Sequence, residues 1–221
     1  MADRRKILIA TRSSGKLREL RELFHELHVD AIDVAAAGIP YDPREEEIES
    51  YPTFVENALA KARYFHGASG GMPTIGDDSG LEVDALNSAP GVLSKRFSGR
   101  RDLKRQALDD ANNAKLLAEL GLADVAAIKK TGNAAPRTAR YRCAAAFVDG
   151  DQEIVREGSI EGRIIDSPRG SSGFGYDPYF EADELGGTFA EASWETKSRV
   201  SHRGRAFRAL FFALRDAGKM R

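Results

Sequence analysis

Four short segments of this 221-residue chain carry residue types that can do chemistry, and phosphate, a metal ion and a flat ring are what they suit. The first is Thr11-Arg12-Ser13-Ser14-Gly15-Lys16, which leaves an apolar run and enters an amphipathic one. Free backbone N–H groups opening a helix, with a lysine beside them, make an anion site because the N–H groups and the helix dipole both favour negative charge. The segment fails the Walker A pattern: Ala10 stands where its first glycine belongs, and Leu17 where its metal-binding hydroxyl belongs. Taken alone, it also reads as a capped helix without a ligand.

The second segment is Asp77-Asp78-Ser79-Gly80. Adjacent carboxylates at a strand bend repel each other, and a cation relieves that repulsion. Mg²⁺ takes few protein carboxylates and completes its shell with water and phosphate oxygens, so it suits such a pair. The alternative is a turn in which Asp and Ser bond their own backbone. Glu49 and Glu56 are further acids: Glu49 also reads as solvated surface in an acidic loop, and helix capping accounts for Glu56. Lys61 and Lys95 have the ordinary alternative of facing water.

The third segment is Gly170-Ser171-Ser172-Gly173-Phe174-Gly175-Tyr176-Asp177-Pro178. Aromatic rings between glycines can stack on a base, because glycine lets backbone and ring approach a planar ligand. Either ring could instead anchor the loop in a core. The fourth is Lys197 with Ser201-His202-Arg203 at the start of the last helix, donors suited to a carbonyl oxygen or a phosphate. A surface His-Arg pair is the plainer reading.

The elements that must position these residues follow from periodicity. Residues 6–11 read as a buried strand, and Leu17, Leu20, Phe24 and Leu27 form one face of a helix capped by Ser13 or Ser14. A strand over 31–36 follows, then a polar loop over 38–52. Thr53-Phe54-Val55-Glu56 fits a capping box opening a helix through Phe65. Residues 81–86 read as a strand, 103–120 as a helix ended by Gly121, and 122–138 as a surface loop. Strands over 139–148 and 153–165 flank the hairpin signal Asp149-Gly150. A last helix starts after Ser201 and stops at Gly218. Strands alternating with helices predict an α/β protein with a mixed sheet, in one domain over 1–221.

With 33 basic and 34 acidic residues, the formal net charge of −1 argues against holding duplex nucleic acid by bulk electrostatics. One cysteine, Cys143, excludes an intramolecular disulfide and a Cys-rich zinc site. The apolar run at 7–10 is too short for a signal peptide or a membrane span, so a cytoplasmic protein with no membrane partner is expected.

Together the segments resemble the inosine/xanthosine triphosphate pyrophosphatase family. The resemblance rests on Ala10-Thr11 with Gly15-Lys16, on Thr53-Phe54-Val55-Glu56-Asn57-Ala58 with Lys61-Ala62, and on Asp77-Asp78-Ser79-Gly80-Leu81. It continues through Pro90-Gly91-Val92, Gly173-Phe174-Gly175-Tyr176-Asp177-Pro178, and Lys197 with Ser201-His202-Arg203-Gly204-Arg205-Ala206. It implies an elongated α/β fold of two lobes, with a long mixed sheet flanked by helices and the substrate cleft between the lobes. A homodimer is also implied.

The substrate so implied is a non-standard purine nucleoside triphosphate (ITP, dITP or XTP), cleaved to monophosphate and pyrophosphate with Mg²⁺ as cofactor. By the same resemblance, Thr11, Arg12, Ser13, Ser14, Gly15, Lys16 and Lys61 hold phosphates, and Asp78 is catalytic base or metal ligand. Glu49 is a further Mg²⁺ ligand and Ser79 a substrate contact. Phe174, Gly175, Tyr176 and Asp177 clamp the base, while Lys197, His202 and Arg203 bind the nucleotide and its purine edge. Where the family usually carries Thr-Gly-Asn, this chain has Thr11-Arg12-Ser13, and Lys95 precedes Arg96 where relatives carry a small residue. Donors facing the 6-keto oxygen would reject the amino group of adenine by about 1–3 kcal/mol per unpaired group. The rival readings are a pyrophosphatase for other modified nucleotides and a nucleotide sensor without turnover.

Overall fold

The computed structural model describes residues 6–218. The strands are β1 (Ile7–Ile9), β2 (Ala31–Asp33), β3 (Thr74–Val83), β4 (Thr138–Asp149), β5 (Gln152–Ile164), β6 (Phe180–Ala182) and β7 (Gly187–Thr188). The helices are α1 (Ser14–Glu26), α2 (Phe54–Ala68), α3 (Gln106–Thr131), α4 (Trp194–Val200) and α5 (His202–Asp216). One sheet runs β2-β1-β3-β4-β5-β6-β7. β1 pairs in parallel with β2 and β3, whereas β6 is antiparallel to β5 and β7. The sheet is therefore mixed, as the alternation of strand and helix predicts.

Contacts group the chain into two compact units. Among the described residues, the first holds 6–78, Cys143–Gly158 and 202–218; the second holds Ser79–Arg142 and Ser159–Ser201. In the first, Phe24 of α1 meets Phe207 and Phe211 of α5 edge-on, at centroid distances of 5.5 and 5.1 Å. Such pairs contribute about 0.5–1.5 kcal/mol beyond the area they bury, which fixes α1 against α5. In the second, Tyr141, Phe180 and Phe189 pack together with Leu81, Val83, Leu116 and Leu120.

Several expected boundaries move, each for a physical reason. The strand expected over 31–36 stops at Asp33, whose carboxylate accepts the N–H groups of Ala35 and Ala36 and turns the chain. Part of the expected loop 38–52 is a 3₁₀ turn, Pro43–Glu47, closed by a reciprocal capping box between Asp42 and Glu45. At Thr53 the hydroxyl accepts the Glu56 N–H and donates to the Glu56 carboxylate. Asp77-Asp78-Ser79-Gly80 is neither bend nor turn: it lies within the ten-residue strand β3. The end expected near Leu86 comes sooner, at Val83, with a 3₁₀ turn over Asp84–Leu86.

The largest correction is α3, which runs through Gly121 and replaces most of the loop expected over 122–138. A glycine in a helix interior costs only about 1 kcal/mol, and the good helix formers after it, Leu122, Ala123, Ala126, Ala127, Lys129 and Lys130, propagate the helix. Termination falls to Gly132, whose φ of 78° supplies the left-handed cap. Among the described residues no helix is long and apolar enough to cross a membrane.

Candidate active site

In the first unit, the strand order β2-β1-β3 reverses direction between β1 and β3. Open α/β sheets bind ligands outside the carboxyl ends of their parallel strands at such a switch point. Residues 11–16 leave β1 there, and Asp77 and Asp78 lie two and three positions beyond Ile75, the register partner of Ile9. Ser13 caps α1, its hydroxyl accepting the Lys16 N–H at 3.5 Å. The Lys16 ammonium reaches Asp77 Oδ2 at 3.1 Å.

Helix α2 rides directly over β3. A Cβ added at Gly76 would lie 2.9 Å from the Ala58 carbonyl oxygen and 3.1 Å from the Ala62 nitrogen, so only glycine permits this approach. The buried face of α2 consists of Phe54, Asn57, Ala58, Lys61, Ala62 and Phe65. Two polar residues one turn apart on that face thus meet the aspartates. Lys61 donates to the Asp77 carbonyl at 2.7 Å and pairs with the Glu49 carboxylate. Asn57 donates to Asp78 Oδ2 at 3.0 Å.

Successive strand residues point to opposite faces, so the adjacent acids have different surroundings. Asp77 Oδ2 pairs with Lys16 and with Arg203 Nε at 3.2 Å. Burial alone would raise the Asp77 pKa, but Lys16, Arg203 and Lys61 reverse this and hold it well below the usual carboxylate range. Asp78 goes the other way: burial lifts it, Lys16 and Lys61 oppose, and the charges of Glu49 and Asp77 add to the lift. For Lys61, burial pulls the pKa down, but Glu49, Asp77 and Asp78 push harder and keep the ammonium charged.

Four carboxylates (Glu19, Glu49, Asp77 and Asp78) are thereby set among three cations, Lys16, Lys61 and Arg203. Asp77 Oδ1 is buried with no hydrogen-bond partner among the described residues. No group of three or more His, Cys, Asp or Glu side chains suited to a metal occurs among them either. The mutually repelling Asp78 and Glu49 fit an ion that draws its other ligands from water and phosphate.

Several expected contacts have other occupations. Arg12 turns to the acid loop, with Nε 2.6 Å from Glu45 Oε2 and Nη2 at 2.8 Å from Glu45 Oε1 and the Pro40 carbonyl. It therefore braces residues 39–45. Arg203 is only 4% exposed, and its guanidinium donates to Glu19 and Asp77. Lys197 is not at the start of the last helix but on the separate helix α4, in the second unit, whereas buried His202 opens α5 in the first. Thr11 is buried and Ser14 exposed beside Gly15, while Ser79 lies half-buried on β3.

In the second unit, the loop 170–178 is built around Asp177. Its carboxylate takes the Phe174 N–H at 2.9 Å and the Lys197 ammonium at 2.7 Å. Gly173, at φ 82°, is required there, because a Cβ would stand 2.0 Å from Asp177 Oδ2. Helix α3 grips the next glycine from one face: Asp109 accepts the Gly175 N–H and Asn113 donates to its carbonyl, both at 2.9 Å. Tyr176 is buried in the core, and its hydroxyl donates to the Ser94 carbonyl at 2.8 Å. Phe174 alone keeps a half-buried ring, with the Lys197 ammonium 5.6 Å from its centroid. Lys95 and Arg96 end a 3₁₀ turn and are both exposed.

Asn57, Glu19, Asp109 and Asn113 were not singled out from sequence. The signal for Asn57 and Lys61 was their i, i+4 spacing on the apolar face of α2; Asp109 and Asn113 repeat that spacing on α3.

Residues 7–213 match the Ham1 family. A relative from Neisseria meningitidis serogroup B, named dITP/XTP pyrophosphatase, is 43% identical over 93% of this chain and 94% of its own. Another of that name, from Thermus thermophilus, is 42% identical over 96% and 92%. Among solved structures, a HAM1 protein from Coxiella burnetii superposes with a TM-score of 0.77 at 34% identity, covering 96% of this chain and 98% of that one. The Staphylococcus aureus Ham1 protein gives 0.74 at 33%, covering 96% and 99%. With sequence and fold matched over nearly its whole length, the chain belongs to the Ham1 family.

Proposed function

We propose that the chain hydrolyses non-standard purine nucleoside triphosphates of the dITP and XTP kind to the monophosphate and pyrophosphate, with Mg²⁺. The observation that carries this reading is the cluster at the switch point: two lysines, a helix N-terminus and two repelling carboxylates, in a family whose named relatives are dITP/XTP pyrophosphatases.

In the reaction, the oxygen of water bonds to the α-phosphorus and the bond to the bridging oxygen of pyrophosphate breaks. Lys16 and Lys61 neutralise phosphate oxygens, an effect strengthened by their burial because the local dielectric is low. Asp78, held by the Asn57 amide on one carboxylate oxygen, accepts the water's proton. Mg²⁺, held by Asp78 and Glu49 and completed by water and phosphate, would supply Lewis-acid neutralisation of the developing charge.

The test is hydrolysis of dITP, XTP, dATP and dGTP with and without Mg²⁺, with pyrophosphate detected apart from orthophosphate. Pyrophosphate released from dITP and XTP far faster than from dATP supports the reading. Orthophosphate as first product, or equal kcat/KM for dITP and dATP, overturns it.

A further inference from the structure

Between Asp78 and the loop that carries Glu49 stands one amide. Asn57 is 0% exposed, and its Oδ1 accepts the Tyr51 N–H at 2.9 Å. Its Nδ2 donates to the Tyr51 carbonyl at 3.1 Å and to Asp78 Oδ2 at 3.0 Å. Tyr51 follows Glu49 by two residues. Only a primary amide offers a carbonyl acceptor together with two N–H donors at this size, and a buried amide is tolerated because each atom is matched. Holding both backbone groups of Tyr51 pins the loop at that residue, as a β-bridge would. Lys61, one turn further along α2, holds the Glu49 carboxylate itself. One helix face therefore dictates where both acids lie.

We propose that Asn57 is a positioning residue that ties Asp78 to the Glu49 loop and so sets the spacing of the two carboxylates. This rests on the reading of those acids given above. An asparagine that only closed the loop would need no bond to Asp78, and one that only steadied Asp78 would need none to Tyr51.

The experiment compares wild type, Asn57→Ala, Glu49→Gln and the double variant. The readouts are kcat and KM for dITP, Mg²⁺ affinity of the nucleotide-free protein by calorimetry, and hydrogen exchange at the Tyr51 amide. Losing the matched donors should lower kcat of Asn57→Ala by about 10- to 100-fold, leave KM within about threefold, weaken Mg²⁺ binding and speed Tyr51 exchange. The double variant should be no more than about threefold slower than Glu49→Gln, since coupled residues are not additive. A folded Asn57→Ala with wild-type kcat and Mg²⁺ affinity, or losses that simply multiply, overturns the proposal. Should Asn57→Ala fail to fold, Asn57→Asp keeps the size and the acceptor for Tyr51 but lacks the donor to Asp78; wild-type kcat there overturns it equally. If wild type releases no pyrophosphate from any nucleotide, the proposed function fails, while Mg²⁺ affinity and Tyr51 exchange still decide the role of Asn57.

Discussion

Asp77 and Asp78 are neighbours in sequence, yet removing their charges should have opposite effects on stability. In Asp77→Asn the two cations on Oδ2, Lys16 and Arg203, lose the carboxylate that meets them in a buried setting. Breaking a buried ion pair by deleting one partner costs about 3–5 kcal/mol. For a chain of this size, that lowers Tm by about 6–20 °C. The depressed pKa of Asp77 means that its ionised form stabilises the fold at neutral pH, and that this stability is lost as pH falls through the folded value. The deficit of the variant should therefore shrink in strong acid. Asp78 has a raised pKa, from burial and the charges of Glu49 and Asp77, so its ionised form costs stability at neutral pH. Asp78→Asn removes that cost and should melt at or above the wild-type temperature while losing pyrophosphate release. The assay is thermal unfolding by circular dichroism at pH 7 with chelator, beside pyrophosphate detection. Equal falls in Tm for the two variants, or an Asp78→Asn protein that keeps wild-type turnover at saturating Mg²⁺, would refute this division of roles.

Gly121→Ala should raise stability by about 0.5–1 kcal/mol in denaturant titration, because the site is mid-helix and an added Cβ meets nothing within 4 Å. Gly173→Ala should do the reverse: its Cβ displaces the Asp177 carboxylate from Phe174 and Lys197, and a strained φ adds to a loss of about 1–3 kcal/mol, with KM for dITP raised. Arg12→Ala should accelerate hydrogen exchange over residues 39–47, which the guanidinium fastens through Glu45 and two carbonyls; unchanged exchange would show that the capping box holds the turn unaided. Tyr176→Phe should cost about 1–2 kcal/mol by leaving the Ser94 carbonyl without its donor, with kcat for dITP unchanged.

Periodicity and punctuation carry much of this fold: Leu17, Leu20 and Phe24 mark α1, Thr53 opens α2, and Asp149-Gly150 joins β4 to β5. Those signals act over one turn or one hairpin, which is why they are visible in the chain itself. The same locality misled at Gly121, where a helix stop signal is worth about 1 kcal/mol and the sequence beyond it outweighs it. Which groups could bind phosphate was likewise legible, since side-chain chemistry travels with the residue. What each group faces was not. Arg12 and Arg203 carry the same guanidinium that sequence reading assigned to substrate, but Glu45 lies 33 positions from the one, and Glu19 and Asp77 lie 184 and 126 from the other. The opposite pKa directions of Asp77 and Asp78 arise from the two sides of a strand and from α2 passing over Gly76. Electrostatic environment is a property of spatial neighbours, and only the folded chain determines who those are.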